Sequence, residues 1–142
     1  MVYKAKIMLM QLEKGNYHAL IRGKACGQPI RIVLDTGASR SCLDKAFMEQ
    51  ALPSVQPQKH DGITAGIGGD DFAVFTANVP DFRIGRFSLP NYEHVALVDF
   101  TYINEAYRRL RRKSVQMILG SDFLVRYHAV IDFGLNLFSF EK

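Results

Sequence analysis

Four of the five residues Ile30–Leu34 are apolar, and the run ends on a carboxylate, Asp35, followed at once by Thr36-Gly37-Ala38-Ser39. A short apolar run rich in β-branched residues reads as a buried strand. Setting a carboxylate at its end strips water from a charge, a cost that hydrogen bonds or a partner must offset. Any fold open to this chain has to deliver an inner strand into a turn that accommodates Asp35. One reading is an Asx turn, in which Asp35 caps the corner through its own backbone. The other is a functional carboxylate, and the rest of the chain has to decide.

At 142 residues the chain suits one domain, 1–142, with an adequate core. Its 48% hydrophobic and 23% charged residues exclude the disordered and fibrous classes. No run approaches a membrane span, and Ile7–Met10, between Lys6 and Gln11, is too short for the apolar part of a secretory signal. A cytoplasmic location without a membrane partner is expected. Cys26 and Cys42 lack C-x-x-C spacing, and His18, His60, His94 and His128 are scattered singly. Reduced thiols are therefore expected, with no metal site and no cofactor. The net charge of +4 owes much to Tyr107–Lys113, YRRLRRK. Its arginines flank Tyr107 and Leu110 at helical spacing, which reads as a solvated helix face and not as a nucleic-acid site.

Most of the chain reads as strands. Residues 3–12 and 16–25 are joined by the hairpin signal Glu13-Lys14-Gly15-Asn16, and Cys26–Pro29 turns into the strand 30–34. Residues 44–50 fit a short helical turn. Two β-type segments surround Gly66-Ile67-Gly68-Gly69, where glycines suit a hairpin tip. Residues 79–89 and 92–99 read as further strands. From Ile103 to Lys113 the spacing turns helical, with Asn104 as the expected N-cap. A buried strand, 115–120, stops at Gly120. Ser121 is the expected cap of a helix over 122–127, and two short strands flank Asp132-Phe133-Gly134.

Asp35-Thr36-Gly37-Ala38-Ser39 after an apolar strand, AGIGGD about thirty residues on, and Ile118-Leu119-Gly120 before a capped helix occur in that order. This constellation, over roughly Tyr17–Phe140, resembles the retropepsin-like aspartic proteases, the single-lobe relatives of pepsin. The resemblance implies a mainly β, closed, barrel-like acid protease fold with one or two short helices, acting as a homodimer. It implies that Asp35 is the catalytic acid/base, that Thr36 braces the pair across the two-fold axis, and that Gly37 lets substrate backbone approach. Ala38 and Ser39 extend that substrate-facing turn. Gly66, Ile67, Gly68 and Gly69 correspond to the flap over bound peptide. Ile118, Leu119 and Gly120 correspond to the strand that passes beneath the active-site turn and helps form substrate pockets. Retroviral members carry an acidic residue and an arginine where Ser39 and Ser121 stand, so the paired replacement places this chain with cellular or bacterial members. The segment from about Asn91 to Lys113 is longer than the retroviral fold needs and is expected to carry an inserted helix.

Hydrolysis in this class uses water. An ionised carboxylate takes its proton while a protonated carboxyl polarises the scissile carbonyl. No second aspartate has the D-T/S-G context; Asp132-Phe133-Gly134 comes nearest, with phenylalanine in place of the hydroxyl residue. The second carboxylate is therefore expected from another copy of the chain, with polypeptide as substrate. The rival reading is an inactive dimeric module that holds peptides without cutting them. A phosphate loop at Gly66–Asp70 is excluded because the lysine and hydroxyl of a P-loop are missing.

Overall fold

The computed structural model describes residues 1–55, 57–60 and 74–142. Strands β1 (Val2–Lys6), β2 (Met8–Glu13), β3 (Asn16–Ala25), β4 (Gln28–Leu34) and β5 (Cys42–Asp44) come first, followed by helix α1 (Lys45–Ala51) and strand β6 (Gln58–His60). The long hairpin β7 (Val74–Ile84) and β8 (Phe87–Val98) leads into helix α2 (Thr101–Arg109). Strand β9 (Met117–Leu119), helix α3 (Ser121–Arg126), β10 (Val130–Asp132) and β11 (Leu137–Glu141) complete the order. No helix among the described residues is long and apolar enough to cross a membrane.

The larger sheet runs β2-β3-β4-β9-β5-β8-β7-β6, and an extra pairing of β3 with β7, Lys24 opposite Arg83, closes β3, β4, β9, β5, β8 and β7 into a six-stranded barrel. Strand alternation decides what fills it. Ala19, Ile21 and Ala25 of β3 and Ile30, Ile32 and Leu34 of β4 point inward with Met117, Leu119, Val95 and Leu97. The other face of the same strands is not solvated either. Leu20, Val33 and Ala96 pack under Phe100, Tyr107 and Val115 of the α2 segment. Burial on both faces is why Ile32-Val33-Leu34 is continuously apolar instead of alternating.

The remaining sheet, β1-β11-β10, joins the barrel through aromatic rings. Phe87 meets Tyr127 and Phe140 at centroid separations of 5.2 and 5.0 Å, and Phe123 lies 4.5 Å from Tyr127. Buried rings of this size carry much of a core's stabilisation, and edge-to-face contact adds to it.

Several boundaries differ from the sequence expectation. The segment 3–12 is two strands in two sheets, β1 and β2. The strands expected at 79–89 and 92–99 are instead one hairpin that turns at Gly85, φ +56°. Pro90 misleads because proline tends to break a ladder. Here it falls opposite Asp81, φ +50°, and the register continues on both sides, Pro80 opposite Asn91 and Phe82 opposite Leu89. Helix α2 starts two residues earlier than Ile103, and its N-cap position is Phe100, not Asn104. The Asn104 amide instead bridges out of the helix: Nδ2 donates to Val115 O at 3.0 Å, and Oδ1 accepts from Val115 N at 2.8 Å. Helix α3 is capped from Gly120, not Ser121. The expected tip at Gly66–Gly69 lies outside the described residues.

Candidate active site

Strand β4 runs parallel to β9, Val33 beside Ile118 and Leu34 beside Leu119. The ladder goes one residue further, because the Asp35 N–H donates to Leu119 O at 3.0 Å. The Ala38 N–H then donates to Asp35 O at 3.2 Å and closes the turn, while the Gly37 N–H donates to Asp35 Oδ1 at 2.9 Å. The Asx geometry is thus present. It engages one carboxylate oxygen and leaves Asp35 half-buried at the strand end. That bond is the side chain's only hydrogen bond among the described residues.

The loop is held from below by β9, which lies between the strands that enter and leave it: it pairs with β4 on one side and with β5 on the other, Cys42 opposite Ile118. Gly120 passes so close that a Cβ there would sit 2.6 Å from Ala38 O and 2.9 Å from the Arg40 carbonyl carbon, so only glycine fits. Ser41, 1% exposed, locks the crossing. Its Oγ donates to Asp122 Oδ1 at 2.7 Å and accepts from Gly120 N at 2.9 Å. Its N–H donates to both Asp122 oxygens, at 2.9 and 3.0 Å. Burial, with Asp122 adding, pushes the neighbouring Tyr92 hydroxyl up to about 12 against the Ser41 hydrogen bond, so it stays neutral. Burial likewise pushes the Cys42 thiol up to about 12, with Asp122 and Asp35 adding to it. A thiol so far from ionised is not a nucleophile.

Two cavities flank the turn. One of 340 Å³ has Asp35 and Ile118 in its wall, with Tyr17, Ile103 and Phe133 around them. Across it His18 Nδ1 meets the Tyr107 hydroxyl at 2.5 Å, tying β3 to α2. The other, 710 Å³, is bordered by Ser39, Arg40, Tyr92 and Asp122.

The structure brings together Asp35, Thr36, Gly37, Ala38, Ser39, Ile118, Leu119 and Gly120, which the sequence expectation grouped. Thr36, Gly37 and Ser39 are exposed. Ile118 opens onto the Asp35 cavity, whereas Leu119 is buried in the barrel core and Gly120 lies under the loop. Ser39 and Ser121 adjoin: Ser121 Oγ donates to Ser39 O at 3.4 Å, and Ser121 N to Ala38 O at 2.7 Å. Gly66, Ile67, Gly68 and Gly69 lie outside the described residues. Ser41 and Asp122 went unrecognised as partners because 81 residues separate them. Ile103 and Tyr107 went unrecognised because the segment 91–113 was read as an inserted helix with a solvated YRRLRRK face, whereas Tyr107 is buried.

An aspartyl protease family model matches residues 21–123. Among solved structures, a retropepsin-like aspartic protease from Rickettsia conorii shares 14% identity at a TM-score of 0.57, over 99% of this chain and 91% of that one. The retroviral protease-like domain of Ddi1 from Leishmania major shares 15% at a TM-score of 0.54, over 86% and 90%. No curated protein matches the sequence.

Proposed function

The chain belongs to the aspartyl protease family, and we propose that it hydrolyses peptide bonds with a water held between two Asp35 carboxylates, one from each copy in a two-fold homodimer. The observation that carries this reading is the Asp35 turn: a half-buried carboxylate with one oxygen fixed by Gly37, at the wall of a 340 Å³ cavity. As in aspartic proteases generally, two carboxyls sharing a water cannot both ionise cheaply, so one stays protonated and the titration belongs to the pair. The ionised member takes the water's proton as the oxygen attacks the carbonyl carbon. The protonated member hydrogen-bonds the carbonyl oxygen, and a proton then passes to the leaving amine.

The dimer follows from the chemistry, because the sequence holds no second D-T/S-G aspartate. A two-fold axis near the turn presents the same side chain from both sides. Exposed Phe133 at the cavity rim is apolar surface of the kind a second copy covers.

Asp35→Asn tests the assignment. Asparagine keeps the turn's shape, since its Oδ1 still accepts from Gly37, but it cannot take a proton from water. Cleavage of a peptide library should vanish while the thermal unfolding temperature stays near the parent's. Activity within about tenfold of the parent's means that Asp35 is not the base. A parent chain that binds peptides without cutting them would be the inactive module.

A further inference from the structure

The outer face of β3 and β4 carries charge that the Asp35 chemistry does not use. Arg22 and Arg31 stand directly opposite each other in the ladder, a like-charge pairing that costs stability. Arg31 Nε is buried and has no hydrogen-bond partner among the described residues. A buried donor without an acceptor loses its hydration for nothing. Burial, and then Arg22, push the Arg31 guanidinium below its ordinary range. Arg112, just beyond α2, is tethered close by: its Nε donates to Gln11 O on β2 at 3.2 Å. None of the ion pairs found among the described residues involves Arg22, Arg31 or Arg112.

Arg31 and Arg112 line one cavity of 380 Å³, whose remaining wall includes Met8, Leu9, Met10 and Tyr17. Tyr17 also lines the Asp35 cavity, so the two spaces adjoin. Strand β2 ends the larger sheet, pairing only with β3 among the described residues, so its outer edge is open to an extended chain.

We propose that this cavity receives an acidic side chain of the polypeptide acted on at Asp35, its carboxylate held by Arg31 and Arg112 and its apolar neighbours by Met8, Leu9 and Tyr17. The inference rests on the protease reading and adds to it a preference for acidic residues outside the catalytic turn. Guanidinium matches carboxylate geometry through paired N–H donors. The apolar rim and open strand edge suit an extended peptide, whereas a nucleic-acid track would need a row of stacking aromatics that this face lacks.

The test uses the full chain carrying Asp35→Asn, so that the probe is not consumed. A short fluorescent apolar peptide with alternate glutamates is compared by anisotropy with its glutamine counterpart. At low salt the glutamate peptide should bind about tenfold tighter or better, the advantage shrinking as salt rises. Arg31→Gln, and separately the exposed Arg112→Gln, should each remove about fivefold or more of it. Arg86→Gln, which deletes the same charge from the β7–β8 turn, should leave it intact. Equal affinity for the two peptides, or equal sensitivity to Arg86→Gln, overturns the proposal. So does tighter, Arg31-dependent binding of an oligothymidylate of matched charge. Cleavage of the glutamine peptide by the parent chain tests the protease reading separately. Cleavage without a glutamate advantage sinks only the acidic site, and a glutamate advantage without cleavage sinks only the protease.

Discussion

One hydroxyl joins three parts of the chain that the Asp35 turn depends on. Ser41 satisfies a buried N–H of Gly120, donates to Asp122 at the start of α3, and sits where the loop becomes β5. Ser41→Ala leaves the Gly120 donor without its partner, while Asp122 Oδ1 keeps the N–H groups of Ser41 and Phe123. Losing a buried hydrogen-bond partner costs about 1–3 kcal/mol. Thermal melting should show a drop of several degrees, with the fold retained. A melting temperature unchanged within a degree or so means that water replaces the hydroxyl and the lock adds nothing. At this scale the sequence was informative where neighbours were contiguous. Asp35, Thr36 and Gly37 adjoin in the chain, so turn chemistry singled them out, and the Asx geometry is present. Ser41 looked like any polar residue of a loop because its partners lie 79 and 81 residues away.

Among the elements, the β3–β7 contact decides whether the sheet is open or closed. Gly23 makes the approach possible: a Cβ there would lie 2.7 Å from Arg83 O and 2.8 Å from Ile32 Cδ1. Gly23→Ala must push β7 away or distort the core, which costs about 1–3 kcal/mol. The denaturant midpoint should fall with the m-value unchanged. A midpoint equal to the parent's would show that the barrel seam yields freely. The β character and the α1, α3 and terminal strands were readable from periodicity and turn residues. The start of α2 was not, because Asn104 has the composition of an N-cap while its amide serves the backbone of Val115, eleven residues on. The break at Gly85 was hidden for a similar reason: an isolated glycine inside an apolar segment looks weaker than the Pro90-Asn91 pair that follows.

For the whole molecule, the proposed hydrolysis needs two copies sharing one site. The family and the mainly β barrel were legible because D-T-G-A-S, I-L-G and their order survive in the linear sequence. A two-fold axis would leave no comparable trace, since each copy would carry half of a site and local patterns would describe only that half. The measurement that bears on this most directly is subunit mixing. Inactive Asp35→Asn chains are combined in equal amount with parent chains and allowed to exchange, with exchange verified by mass spectrometry of differently labelled chains. Random pairing leaves roughly half of the parent subunits in parent–parent dimers, and a mixed dimer holds one catalytic carboxylate. Total peptide cleavage should therefore fall by about half although no parent protein was removed. The fall is larger if relief of carboxyl repulsion favours the mixed pair. Complete exchange with cleavage unchanged would mean that each chain carries a whole active site, contradicting the shared pair of Asp35 carboxylates.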